Sequence, residues 1–183
     1  MRRYRIIDGG IDPHFITWSI TEWLPIFASE QYCRIITDSL AFCRAEKGLL
    51  VHAYVVMLTH VHTILSAQDG ADLSAILRDS RKFTAKQIVQ RLNDDSNRLF
   101  DWVFRDAARK DGRPEESYKV WQPGAHPETL VSEKFVMQKL EYLHNNPVRK
   151  GLVYAPEHWR YSSAPFYVLG QKDGPLEIDA FEW

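Results

Sequence analysis

The chain has 183 residues, 45% of them hydrophobic and 26% charged, so it can bury one substantial core and has the composition of an ordinary globular protein. Its net charge of −1 and pI of about 6.7 differ from those of proteins that coat nucleic acid non-specifically, which are basic. No apolar run is long enough to span a membrane, and no apolar signal segment follows residues 1–4. We therefore expect one cytoplasmic domain over residues 1–183, without a membrane partner. Its core covers about residues 14–169, and an aromatic tail over residues 151–183 packs on it.

The first recognisable elements are a strand and a helix. Aromatic and β-branched residues over His14–Ser19 predict the strand. Ser29 then supplies an N-cap for a helix that runs to about Lys47. Gly48 follows, and glycine readily takes the left-handed conformation that ends many helices.

A β-hairpin that contains two histidines is predicted next. Residues 49–57 are apolar at nearly every position, as expected for a strand covered on both faces. Residues 60–66 form the second strand. Leu58-Thr59 between them is poor turn chemistry compared with Asn-Gly or Pro-Asn, so the two strands are predicted with the turn geometry left open.

A long helix predicted over residues 71–92 carries a basic ridge. We define this ridge as Arg78, Arg81, Lys82 and Lys86, of which three recur at four-residue intervals. Such a ridge either contacts the phosphates of a nucleic acid or is simply the solvated face of a helix.

The last predicted helix presents a tyrosine beside its apolar stripe. Ser132 is its N-cap, the helix runs through residue 145 or 146, and Pro147 is expected to end it. Tyr142 lies to one side of the buried stripe. Arg149 and Lys150 follow the proline and are further candidates for phosphate contacts.

The histidine pair His60-Val61-His62 is the first candidate for chemistry. Residues two apart in a strand point to the same face, roughly 6.5–7 Å apart along the chain, so both imidazoles lie on one side of the sheet. That arrangement suits two adjacent positions around a divalent metal ion. Without other ligands, two histidines that pack as partly buried side chains explain the pattern equally simply.

Tyr142 and Asn146 are one helical turn apart, with Cβ atoms roughly 5–6 Å from each other. The amide oxygen of Asn146 suits a hard cation, and Tyr142 would then reach a substrate bound to that cation. The simpler alternative is a core-edge tyrosine beside an asparagine that caps a helix. His144 is close in sequence but points about 200° away from Tyr142, at 100° per residue, which disfavours it as the general base.

A tyrosine next to a cation site favours phosphoryl transfer. A neutral phenol is a poor nucleophile unless its proton is removed or its phenolate is stabilised, and a cation that polarises a phosphate reduces that demand. Because a tyrosine–phosphate ester conserves the energy of the broken bond, the step can be reversed by another hydroxyl. This logic fits DNA strand transfer better than hydrolysis.

Taken together, these segments resemble the HUH single-tyrosine transposases, and in particular the REP-associated tyrosine transposase branch. The similar segments follow the family order, span residues 14–169 and are most specific between Tyr142 and Ser163. They are residues 53–57 leading into His60-Val61-His62, residues 81–84, Tyr142-Leu143-His144-Asn145-Asn146-Pro147-Val148-Arg149, residues 151–153, and residues 156–157 with 159–163.

The resemblance implies an α+β domain with a central antiparallel sheet of the ferredoxin-like type, the histidine hairpin at its centre, and packed helices, one of which carries the tyrosine. It also implies that His60, His62 and Asn146 bind Mg²⁺ or Mn²⁺ and that Tyr142 is the nucleophile. The family cleaves hairpin-forming single-stranded DNA and leaves a 5′-phosphotyrosine and a free 3′-hydroxyl. The implied activity is therefore cleavage and transfer of DNA strands at palindromic elements.

Two features depart from the family pattern: Leu58-Thr59 stands where members usually have Pro-Asn, and the net charge is lower than strong non-specific DNA binding requires. Two other functions also fit the sequence. One is a regulator that binds hairpin DNA without cutting it, and the other is a metal hydrolase of small phosphoesters in which Tyr142 is structural. A monomer and a homodimer are equally compatible with the sequence.

Overall fold

A four-stranded antiparallel sheet organises the chain, with the strand order β2-β3-β1-β4. The structure is a computed structural model that describes residues 6, 8–115, 117–125 and 127–181. The strands are β1 (His14–Ser19), β2 (Leu49–Val56), β3 (His60–Ala67) and β4 (Glu128–Thr129). The helices are α1 (Glu30–Lys47), α2 (Leu73–Asp94), α3 (Arg98–Lys110), α4 (Glu133–His144), α5 (Asn146–Arg149) and α6 (Ala164–Leu169). This is the α+β arrangement, with an antiparallel sheet of the ferredoxin-like type, that the family resemblance implies.

Helices cover both faces of the sheet. On one face α1 packs against β2 and α2 packs against α1, around fully buried residues such as Ile36 and Leu40. On the other face α4 buries Val136, Leu140 and Leu143 against the sheet. This double cover explains why β2 is apolar almost throughout, as predicted. In the described part of the chain, no helix is both long enough and apolar enough to cross a membrane.

The helix α1 begins and ends at the predicted residues. Ser29 is its N-cap, although its side chain makes no capping hydrogen bond, and Glu30 places a negative charge in the first turn, where it complements the helix dipole. Gly48 ends the helix with φ 69°, and its N–H donates to the carbonyl oxygen of Cys43.

The hairpin turn at Leu58-Thr59 is stabilised by bonds from outside the hairpin. Neither residue has the positive φ of the common two-residue hairpin turns. Instead, the carbonyl oxygen of Thr59 accepts from the N–H of Ile20 at 2.9 Å, and that of Leu58 accepts from the N–H of Phe27 at 3.1 Å. The hairpin itself is as predicted. The hairpin does not lie wholly at the centre of the sheet, where we expected it: β3 is an internal strand, but β2 is an edge strand.

The outer edge of β2, which has no neighbouring strand, is covered by the C-terminal segment, which we define as residues 161–181. The N–H of Val56 donates to the carbonyl oxygen of Tyr161 at 2.8 Å, and that of Ser163 donates to Tyr54 at 2.9 Å. Further on, Asp179 pairs with Val51. This segment packs as mostly irregular chain with the short helix α6, and it closes an edge that would otherwise be free to pair with another strand. Trp183 of the predicted tail lies outside the described residues.

The helix that carries Tyr142 ends before Pro147, as predicted, although at His144 rather than at residue 145 or 146. The chain then turns directly into the short helix α5, in which the N–H groups of Arg149 and Lys150 donate to the carbonyl oxygens of Asn145 and Asn146. Pro147 lies in the first turn of α5, where a missing N–H breaks no internal bond of that helix.

Candidate metal and tyrosine site

His60 and His62 lie on the face of the sheet that α4 covers. They alternate with Val61, whose side chain is buried in the core on the opposite face. Their ring centroids are 4.7 Å apart with an interplanar angle of 72°. Two imidazoles that bind one ion in adjacent positions have centroids roughly 4.5–5.2 Å apart, given metal–nitrogen distances of about 2.0–2.1 Å. The observed spacing fits a shared ion.

Each imidazole is oriented by a threonine hydroxyl. Nδ1 of His62 is 2.8 Å from Oγ1 of Thr17, which lies directly opposite it on β1, and Nδ1 of His60 is 3.0 Å from Oγ1 of Thr59. If each Nδ1 carries its proton and donates to the hydroxyl, Nε2 keeps its lone pair. Fixing the tautomer through the second ring nitrogen is the usual way in which proteins prepare a metal-binding histidine.

Burial keeps both imidazoles neutral. The pKa of His62 is lowered to about 3, mainly by burial, with smaller contributions from the neighbouring His60 and Lys139. The pKa of His60 falls to about 4, again mainly through burial, with a smaller contribution from Lys150. A neutral imidazole is the form that binds a metal ion.

Tyr142 meets the histidine pair from α4. Its ring centroid is 5.6 Å from that of His62 and 5.9 Å from that of Phe15, both in edge-on contacts. Phe15 in turn stacks on His62 at 5.2 Å. With 39% of its surface exposed, Tyr142 is accessible to a substrate rather than buried in an apolar core. The structure therefore brings the imidazoles and the phenol together, as the sequence predicts.

Asn146 lies on the same helical face as Tyr142 and Lys150. The three recur every four residues along a nearly continuous helical path, and Lys150 is close enough to His60 to lower its pKa. Asn146 stands between the two, is only 6% exposed, and its amide nitrogen has no hydrogen-bond partner. The unpaired atom is an N–H donor, which does not bind a cation, so it gives no support for a ligand role. A ligand role for the amide oxygen of Asn146 stays a prediction.

The donor set is nevertheless small. In the described ranges, no three His, Cys, Asp or Glu side chains lie together in a way that could hold a metal ion. A cation at His60 and His62 would therefore take its remaining ligands from the amide oxygen of Asn146 and from oxygens of the substrate or water, which Mg²⁺ and Mn²⁺ accept.

The predicted basic residues fall into two groups. Arg149 lies 5.4 Å from the Tyr142 ring centroid, and Lys150 lies near His60, so both border the site. The basic ridge is on α2, in the layer on the other side of the sheet. Within it Arg81 turns inward and donates to the carbonyl oxygen of Gln122 at 2.6 Å. The ridge does not line the site.

His144 is turned away from Tyr142, as its position on the helix predicts. It is buried, its Nε2 is 2.8 Å from the hydroxyl of Ser163, and burial lowers its pKa to about 4. Its partner Ser163 belongs to the C-terminal segment, so His144 joins α4 to that segment rather than serving the phenol.

Sequence reasoning missed Thr17, Phe15 and Lys139, which contribute to the surroundings of His62. Lys139 lies 4.8 Å from the Phe15 ring centroid and forms an ion pair with Glu128 at 2.6 Å. The alternation of Phe15 and Thr17 along β1 places both on one face, but only the pairing of β1 with β3 shows that this face meets His62.

The ring of Tyr142 is open to solvent, with 39% of its surface exposed. Two cavities, of about 910 and 520 Å³, lie beside the C-terminal segment and along α4 respectively. Neither of them is lined by His60, His62 or Tyr142.

No protein-family model matches the chain, and no curated protein matches it. A solved structure of a REP-associated tyrosine transposase bound to a REP hairpin is similar, with a TM-score of 0.65 at 18% identity, covering 100% of this chain and 95% of that one. A protein assigned as a transposase from Deinococcus radiodurans has a TM-score of 0.45 at 18% identity, covering 79% of this chain and 97% of that one. The first comparison confirms the predicted fold: the chain is folded like that transposase.

Proposed function

We propose that the chain cleaves and rejoins single-stranded DNA at hairpin-forming elements, with Tyr142 as the nucleophile. The observation that carries the proposal is the meeting of two neutral, oriented imidazoles with an accessible phenol on one side of the sheet. The similarity in fold to a transposase that binds a REP hairpin supports the choice of substrate class.

The proposed reaction is an in-line displacement at phosphorus. Oη of Tyr142 forms a bond to the scissile phosphorus as the bond to the 3′-oxygen breaks, and the phenol proton leaves to solvent. The departing 3′-oxygen takes up a proton from water, so the products are a 5′-phosphotyrosine and a free 3′-hydroxyl, and attack by another 3′-hydroxyl reverses the step. His60, His62 and Asn146 are the residues that would bind Mg²⁺ or Mn²⁺, which would act as a Lewis acid toward the phosphate.

Local charge supports DNA binding despite the net charge of −1. Arg149 and Lys150 border the site, whereas Lys139 beside Phe15 is already paired with Glu128. A small positive patch of this kind attracts the phosphates of a bound strand without making the whole protein basic.

The test is covalent capture of an oligonucleotide. We expect the full chain, incubated with Mn²⁺ and a panel of single-stranded hairpins, to form a denaturant-resistant adduct whose mass equals the protein plus the 3′ fragment of the DNA. Tyr142→Phe should abolish the adduct and keep DNA binding, because the ring contacts with His62 and Phe15 remain. Tyr154→Phe is the matched control, since Tyr154 is 99% exposed and makes no contact with the site.

The rival functions give different results in the same assay. A regulator that only binds would retain hairpin affinity and form no adduct with or without Mn²⁺. A small-phosphoester hydrolase would turn over in the Tyr142→Phe variant. An adduct that persists in Tyr142→Phe would show that the nucleophile has been assigned to the wrong residue.

A further inference from the structure

A strained turn follows the end of β1 next to His60. In the 3₁₀ turn Thr21–Trp23, Glu22 has φ 55° and Trp23 has φ 53°, in the left-handed region that non-glycine residues seldom occupy. Such residues are strained and persist only where the surrounding structure imposes them. Hydrogen bonds on both sides impose the turn here: Thr21 N–H donates to the Val120 carbonyl at 2.8 Å, and Trp23 N–H donates to the Ile20 carbonyl at 3.0 Å.

The turn holds the indole of Trp23 out of the core and against the histidine pair. Trp23 is 57% exposed, whereas Trp18 and Trp121 are 1% and 8% exposed. Its ring centroid is 6.3 Å from that of His60, at an interplanar angle of 80°. A strained backbone that presents a large apolar ring to solvent beside a reaction site indicates a surface that is completed by a ligand.

Trp23 and Tyr142 lie at opposite ends of the site. Along β1, Phe15 contacts Tyr142, Thr17 pairs with His62, Ser19 pairs with His60, and the turn with Trp23 follows. In an in-line displacement the leaving oxygen departs on the side opposite the nucleophile. If Tyr142 attacks from one end, the nucleotide that keeps the 3′-hydroxyl lies toward the other end, where Trp23 is exposed.

We propose that Trp23 stacks on the unpaired base immediately 5′ of the scissile phosphate. This inference rests on the proposed function and adds the specific position that the protein recognises. It also answers how a chain with a net charge of −1 binds DNA. Stacking on an aromatic face supplies affinity that does not depend on phosphate neutralisation, and it operates on any unpaired base.

The test combines a protein variant with a DNA lesion. Using a hairpin whose cleavage position has been mapped by adduct mass, we would measure binding by fluorescence anisotropy for the intact strand and for strands with an abasic site on the 5′ or the 3′ side of the scissile phosphate. Trp23→Ala should weaken binding of the intact strand about five- to tenfold, the lower part of the range for base–aromatic stacking. The 5′ abasic site should weaken wild-type binding by a similar factor and should have little further effect in Trp23→Ala.

Controls separate stacking from general damage. Trp23→Phe keeps an aromatic face and should retain most of the affinity. Phe42→Ala removes a ring that is similarly exposed, at 56%, on α1 in the layer across the sheet, and should leave binding unchanged. A thermal melt checks that each variant is folded.

Several outcomes would overturn the inference. It is wrong if Trp23→Ala binds as tightly as wild type, or if the losses from Trp23→Ala and from the 5′ abasic site multiply. It is also wrong if the 3′ abasic site, rather than the 5′ one, is the lesion that leaves the DNA affinity of Trp23→Ala unchanged. If the wild-type chain forms no adduct with any hairpin of the panel, the proposed function is refuted and this inference with it. An adduct formed equally well by Trp23→Ala, with unchanged binding, would refute the inference alone.

Discussion

Replacing Thr17 by valine tests whether the hydroxyl beside His62 prepares that imidazole for a cation. Valine has nearly the same shape as threonine, so the change removes the 2.8 Å hydrogen bond and little else. His62 is only 6% exposed, so its Nδ1–H would be left without a partner in a buried place. The expected loss in free energy of unfolding is about 1–3 kcal/mol. For a chain of this length it lowers the Tm by roughly 3–10 °C.

The same change should weaken cation binding. Removing the residue that orients a metal-binding histidine reduces metal affinity about 10–100-fold. Free Mn²⁺, counted by electron paramagnetic resonance during a titration of the protein without DNA, measures this affinity directly. Adduct formation with hairpin DNA should then need a correspondingly higher Mn²⁺ concentration.

The matched control lies in the same sheet. Oγ1 of Thr129 on β4 is 3.1 Å from Nε2 of His14, which is fully buried and does not belong to the site. Thr129→Val should therefore destabilise the fold by a similar amount without changing Mn²⁺ affinity. Equal Mn²⁺ affinity in Thr17→Val and wild type would refute the argument that Thr17 orients His62 for a cation.

Three other predictions follow from particular contacts. Asp179→Ala should lower the free energy of unfolding by about 2–3 kcal/mol, because it removes the ion pair with Arg44 and the acceptor for the Val51 N–H. Proteolysis near the C-terminus should become faster, and a variant as resistant to protease as wild type would contradict the prediction. Glu22→Gly should be about 1 kcal/mol more stable than Glu22→Ala in chemical unfolding, the reverse of the order in a regular helix, since φ is 55° there; the usual order would mean that the turn is not strained. Arg149→Ala should reduce the slope of log affinity for the hairpin against log salt concentration by about one. Lys82→Ala, on α2 in the layer across the sheet, should leave this slope unchanged. Equal effects of the two changes would mean that DNA contacts both faces.

The position of the charges makes the proposed DNA binding compatible with a net charge of −1. Arg149 and Lys150, at the end of α5, border the site next to the phenol and the histidines. In the ridge on α2, Arg81 instead has a structural role. Its guanidinium bonds to Gln122, and its carbonyl oxygen accepts from the indole N–H of Trp121 at 3.2 Å, so it fastens residues 120–122 to the helix. Phosphate binding by the other ridge residues stays a prediction.

Local patterns in the sequence were sufficient for several elements and for the two halves of the site, whereas the α+β arrangement came from the family resemblance, and α3 and β4 were not predicted. The strand His14–Ser19, the helix Glu30–Lys47 and the hairpin around the histidines follow from propensity, capping and alternation, which depend only on neighbouring residues. The same alternation puts His60 and His62 on one face, and helical spacing puts Tyr142 beside a buried stripe.

Only the tertiary structure decided how these parts meet. The pairing of Thr17 with His62 joins residues 45 positions apart, and the hairpin turn depends on N–H groups of Ile20 and Phe27. The left-handed backbone that exposes Trp23 is likewise imposed by bonds to other segments. Each of these contacts depends on strand register and layer packing, and the free energy that sets them is shared across the whole core rather than stored in neighbouring residues.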